Sequence, residues 1–156
     1  MIKKYFWNYF FVFILFALDR ISKILIINSN ENFVETNIQL TNFLSLNLIW
    51  NSGIGFGLFS FDDELYYNFL TGIIISITFI ILWMAVKTNK SEKIAFMMIL
   101  GGSLGNIFDR LYYSAVPDFI DIHIGNFHWF IFNVADIFIT FGIIILIILE
   151  FFFKKA

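Results

Sequence analysis

The stretch VPDFIDIHIGNFHWFIFNVADI, residues 116–137, decides how the chain is read. It carries Asp118 near one end and Asp136 near the other. Asp136 falls inside the start of a long apolar run, FNVADIFITFGIIILIILEFFF. A carboxylate in a membrane span costs roughly 3 kcal/mol at mid-bilayer, and less towards the interface. An acid retained there calls for a reason. One is local, since Asp in a first turn caps a helix. The other is chemical, since two acids brought together can share a proton. Asp118 taken alone reads as an ordinary loop acid.

Outward from this stretch the composition is that of a membrane protein. Of 156 residues, 60% are hydrophobic and 14% charged, and the net charge is −2. Mean hydropathy is +0.83. No basic block suggests nucleic acid. The absence of cysteine excludes disulfides, zinc thiolates and thiol nucleophiles. His123 and His128 match no familiar metal-ligand spacing, and neither metal nor cofactor is expected.

The runs at about residues 5–27, 65–86, 94–111 and 132–153 are each long enough to span. The first follows Lys3 and Lys4 as a signal peptide would. It is too long for one, contains Asp19, Arg20 and Lys23, and is read as an uncleaved helix. Lysines lie before span one, between spans two and three, and at the end of the chain. The positive-inside rule then puts both termini in the cytoplasm and residues 28–64 and 112–131 outside.

The outer loops carry strand patterns. Leu44, Leu46, Leu48 and Trp50 alternate with Ser45, Asn47 and Ile49. Ile120, Ile122 and Ile124 alternate with Asp121 and His123, and Gly125-Asn126 offers a turn into residues 127–131. A small β-sheet from both loops is expected, with Asp121 on its solvated face. NSGIGFGLFSF, residues 51–61, is either an interfacial linker or a lid that dips into lipid.

The polar residues within the spans cluster. Asp19 and Lys23 lie i,i+4 on one helix face, as do Asn106 and Arg110, with Asp109 at i+3. Gly101 and Gly105 would allow close helix packing, and Asn133 precedes Asp136 by three residues. At about 1.5 Å per residue, Asp19 sits ~22 Å above Lys4, Asn106 ~20 Å above Lys93 and Asp136 ~27 Å above Lys154. This common depth predicts one shared polar site near the outer leaflet. Asp19–Lys23 and Asp109–Arg110 each contain both charges and are expected to neutralise themselves. Asp118 and Asp136 have no basic partner at helical spacing and are the acids left to titrate.

At these residues the chain resembles the lipoprotein signal peptidases (signal peptidase II). The motifs are D-x-x-[ST]-K at Asp19–Lys23, N-x-G at Asn51–Gly53 and G-x-x-G-N-x-x-D-R at Gly102–Arg110. V-x-D-F follows at Val116–Phe119 and F-N-x-A-D at Phe132–Asp136. Five blocks in order cover nearly the whole chain. Pro117 and Gly55 depart from the residues common in the family at those places.

The resemblance implies an aspartic endopeptidase of the bacterial cytoplasmic membrane. It would remove signal peptides from diacylglyceryl-modified prolipoproteins, cutting before the lipidated cysteine. Asp118 and Asp136 would be catalytic. Asp19, Lys23, Asn51, Gly53, Gly105, Asn106, Asp109, Arg110 and Asn133 would support the site or touch substrate. Membrane lipids and globomycin-type cyclic peptides are the other expected partners, and no cofactor is implied. The competing readings are a small proton-coupled transporter or channel subunit, a serine–lysine peptidase built on Ser22 and Lys23, and a purely structural subunit. The first would need polar residues through the whole membrane depth, whereas the inner halves of the spans are almost wholly apolar.

Overall fold

Four apolar runs become four helices, and the two loops expected outside the membrane become one sheet. The structure is a computed structural model describing residues 2–32, 37–53, 64–88, 92–125 and 127–153. The order is α1 (Ile2–Asn32), β1 (Asn37–Thr41), β2 (Leu44–Asn51), α2 (Glu64–Lys87), α3 (Glu92–Tyr113), β3 (Val116–Ile124), β4 (Phe127–Phe132) and α4 (Val134–Phe153). α2, α3 and Val134–Phe152 of α4 are long and apolar enough to cross a membrane. The charged triplet Asp19, Arg20 and Lys23 sets α1 apart from them. The supposed lid, residues 51–61, lies outside the described residues from position 54 onward.

α3 is the hub and packs against α1, α2 and α4. Of its apolar stretch 56% is buried, against 17% in α2 and 11% in α4. Small residues permit this. A methyl on Gly101 would press on Leu15 of α1, one on Gly102 would strike the Ala135 carbonyl of α4, and one on Gly105 would strike the Asp19 carboxylate. Gly101 and Gly105 therefore bring α1 in, as their i,i+4 spacing predicts, and Gly102 does the same for α4. Ser114, at φ 56°, turns the chain out of α3 in the left-handed conformation usual just past a helix end.

The sheet is antiparallel throughout, in the order β1-β2-β3-β4. β1 had no signal in the alternation pattern. Gly125, at φ 59°, supplies the turn after β3. Burial in the sheet does not follow simple alternation; Val116 and Phe119 of β3 are buried as apolar residues should be, but several polar residues are buried as well. Ser45, Asn51, Asp118 and Asp121 are buried, while Ile49, Trp50, Ile122, Ile124, Phe127 and Trp129 are exposed. Asp121 is thus not on a solvated face; its exposure is 0%. Its oxygens are covered instead by Ser45 and His128, which hydrogen-bond them. Along the spanning helices, where lipid can surround the protein, apolar side chains can face outward. The exposed Phe, Ile, Leu and Trp side chains that cover the helices follow the same rule.

Candidate active site

Site geometry begins where α4 starts. Asn133 and Asp136 cap its N-terminus reciprocally. The Asp136 backbone N–H donates to Asn133 Oδ1 at 3.1 Å, and the Asn133 N–H donates to Asp136 Oδ2, also at 3.1 Å. This is the reciprocity of a capping box, with Asp in the place of the usual Glu. The local reading of Asp136 is therefore correct, but it uses one oxygen. The other, Oδ1, accepts from Asn106 Nδ2 of α3 at 2.9 Å.

Asp118 is brought to the same place by the sheet. In β3 it pairs in register with Ile49, and Asn51, two residues on in β2, shares its face. Asn51 Nδ2 donates to Asp118 Oδ2 at 2.8 Å and Asn133 Nδ2 to Oδ1 at 2.6 Å. Asn133 thus bridges the two acids, capping one through its carbonyl and backbone and binding the other through its amino group. Both acids line one cavity of about 310 Å³, together with Asn51, Ser103, Asn106, Arg110, Val116, Asn133 and Thr140. Burial, and next to it the negative charge of Asp136, raise the Asp118 carboxyl from its ordinary 3.8 to about 6, despite the Asn51 and Asn133 hydrogen bonds that favour its ionised form.

Below this pair lies a charged lattice. Lys23 Nζ donates to Asp19 Oδ2 at 2.8 Å, Asn106 Oδ1 at 2.9 Å and Asp109 Oδ2 at 2.7 Å, using all three of its protons. Asp19 Oδ1 accepts from the Ala135 N–H at 2.9 Å, so α1 satisfies one of the orphan donors at the start of α4. Asn106 links the lattice to the acid pair. Its carbonyl faces Lys23 and its amino group faces Asp136. Arg110 Nη2 donates to the Gly53 carbonyl, while the Gly53 N–H donates to Asn51 Oδ1 at 2.8 Å. Gly53 and Arg110 therefore act on the acid pair through Asn51.

Comparison with known proteins gives the family. The family described as signal peptidase (SPase) II matches residues 11–152. The chain belongs to the signal peptidase II family. A lipoprotein signal peptidase of Pelagibacter ubique is 45% identical over 154 residues, covering 99% of this chain and 93% of that protein. One from Francisella tularensis subsp. novicida is 40% identical, covering 95% and 94%. Two solved structures of bacterial membrane enzymes align with TM-score 0.71 at 25% identity, covering 96% of this chain and 93% of the first, and 94% of both chains for the second.

In this signal peptidase II chain Asp118 and Asp136 form the acid pair, Asp19, Lys23 and Asp109 the lattice, and Asn51, Gly53, Asn106, Arg110 and Asn133 connect to the acids, while Gly105 lies against Asp19. One pairing differs from expectation. Asp109 does not neutralise itself with Arg110; its partners are Lys23 and Arg20, both on α1. Adjacent helical residues diverge by about 100°, so i and i+1 do not face each other. Arg20 was not singled out, although it stacks over Phe108 at 4.7 Å as well as pairing with Asp109. Its position beside Asp19 was the available signal. The cavity residues Ser103 and Thr140 were also missed, though they lie one helical turn from Asn106 and Asp136 respectively. Ser22 donates to the Asp19 carbonyl at 2.8 Å, and Lys23 is saturated by acids and an amide, so no serine–lysine base pair forms between them.

Proposed function

We propose that this chain is an aspartic endopeptidase, with Asp118 and Asp136 as a catalytic pair that shares one proton. Family membership supports removal of signal peptides from prolipoproteins, and nothing in the chain supports the transporter alternative. The observation that carries the aspartic reading is Asn133. It ties two acids to one cavity without supplying a cation to either. Two close carboxylates do not both ionise readily, so the pair retains a proton. The ionised member takes a proton from water as the water oxygen attacks the scissile carbonyl carbon. The protonated member gives its proton to the carbonyl oxygen. On collapse the carboxyl that took its proton from water gives it to the leaving amine nitrogen as the C–N bond breaks. The other carboxylate takes a proton from a hydroxyl of the diol as the carbonyl re-forms, and the pair again holds one proton.

In this reading α1 spans the membrane with the other three helices, forming a single membrane-embedded peptidase domain. Both termini lie in the cytoplasm, and the site opens near the outer leaflet. At about 1.5 Å per residue, the helix containing Asp19 and Lys23 is long enough to cross a core of about 30 Å. The lattice pairs its charges, which is how ionisable groups persist in a span. Diacylglyceryl-modified prolipoprotein is the substrate, membrane lipid is its solvent, and globomycin-type peptides compete for the cavity. The test is purified protein in detergent with a diacylglyceryl-modified prolipoprotein. A mobility shift on gels that globomycin abolishes is expected; no cleavage of lipidated substrate overturns the proposal. For the topology, cysteines substituted for Asn30 and Lys90 should label from opposite sides, and labelling from one side overturns it.

A further inference from the structure

Away from the acid pair, the β3–β4 hairpin gathers a second group of chemically capable side chains. His123 and His128 are cross-strand partners, and their rings lie 5.3 Å apart, centroid to centroid. Asp121 is two residues before His123, with a bulge between Ile122 and His123. His128 Nδ1 lies 2.8 and 3.0 Å from the two Asp121 oxygens, and Ser45 Oγ donates to Asp121 Oδ2 at 3.3 Å. One donor atom from each of Asp121, His123 and His128 falls within 4.8 Å of the others. Among the described residues, buried His123 Nδ1 has no hydrogen-bond partner. A buried ring nitrogen without a partner is costly and uncommon, and a metal ion is one thing that removes the cost.

We propose that Asp121, His123 and His128 form a binding site for a borderline divalent cation of the zinc class. The donor set decides the class. Two imidazoles and a carboxylate suit zinc, cobalt(II) and nickel(II), whereas calcium and magnesium demand mostly oxygen. The spacing is compatible. Ligands about 2.0–2.1 Å from a tetrahedral zinc lie roughly 3.4 Å apart, so the Asp121–His128 hydrogen bond, at 2.8 and 3.0 Å, has to open by about half an ångström to admit the ion. The His128 side chain is 51% exposed and can turn to close the site, with water as the remaining ligand. Because strand side chains alternate, Asp121 and Asp118, three residues apart on β3, lie on opposite faces. The ion is therefore a clip between β3 and β4 that stiffens the strand carrying Asp118, and takes no part in the hydrolytic step. The proposal does not depend on the peptidase reading.

The experiment uses the full chain, free of any affinity tag, in detergent. Cobalt(II) is titrated first, since a mixed nitrogen–oxygen site gives it visible absorption bands. Zinc is then added against a chromophoric chelator. One equivalent of cobalt that zinc displaces is expected, together with a zinc-dependent rise in melting temperature. His123→Ala and His128→Ala should each weaken zinc by at least about tenfold, since even groups that merely orient metal ligands are worth about 10–100-fold. His128 is half-exposed, so His128→Ala carries the test even where His123→Ala fails to fold. Absence of binding, or zinc affinity unchanged in His128→Ala, overturns the proposal. In the latter case the ion sits elsewhere, as it would between Asp118 and Asp136, and Asp118→Asn rather than His128→Ala would abolish it.

Discussion

Two pairs of aspartates sit within one polar region, and they differ in what faces them. Asp19 and Asp109 face cations. Lys23 bridges both, and Arg20 adds a second positive group at Asp109. Asp118 and Asp136 face amides: Asn51 and Asn133 at the first, Asn106 and the Asn133 backbone at the second. A cation fixes a buried carboxylate in its ionised form, whereas an amide donor holds it in place and leaves the proton free to come and go. The first pair is thus suited to binding helices together and the second to moving protons. Asn106 is the boundary, with Lys23 on one side and Asp136 on the other.

The sharpest way to break this comparison is to remove the proton-accepting capacity of the second pair while keeping its shape. Asp118→Asn and Asp136→Asn should each lower cleavage of lipidated substrate about a thousandfold or more, with little loss of folded protein. The double variant should be no worse than either single one, because the two act as a unit. Substantial turnover by either single variant would mean that the amide-held acids are structural too.

Removing the cation from the first pair should instead cost stability. Lys23→Ala leaves Asp19 and part of Asp109 uncompensated, which typically costs about 3–5 kcal/mol. Asp19→Asn in the same chain should recover only part of this, because Lys23 also serves Asp109. Thermal unfolding in detergent measures both. Strictly additive losses in the double variant would show that the two charges are not coupled.

The smallest expected effect is a shift in pH dependence. With the Asp118 carboxyl near 6, activity should fall as pH rises through that region, because the pair loses its last proton. Asn51 favours the ionised form of Asp118, so Asn51→Ala should move this falling limb to higher pH. A limb that stays put would mean that Asn51 does not act on the titrating group. Stability follows the same sign. A carboxyl raised from 3.8 to about 6 stabilises the fold below its unfolded value, and that contribution is lost as pH rises through 6. The melting temperature should decline over this window in wild type and less so in Asp118→Asn.

The sequence by itself determined what is local or periodic. Apolar runs of spanning length predict the helices, and i,i+4 spacing predicts the Asp19–Lys23 bridge and the small face of α3. The ordered motifs point to the acids. Spacing cannot say which groups meet across the fold. Asp109 takes its cations from Arg20 and Lys23, 89 and 86 residues away, rather than from the adjacent Arg110. That choice follows from the approach of α1 to α3 at Gly101 and Gly105. Asp121 reads as solvated because alternation reveals the two faces of a strand but not what packs on each. Only the pairing of β2, β3 and β4 brings Ser45 and His128 onto its carboxylate and buries it. Asn133 cannot be distinguished from any helix cap by its position alone. Its second role depends on β3 carrying Asp118 to within 2.6 Å of its amide, and strand register rather than helix periodicity sets that distance.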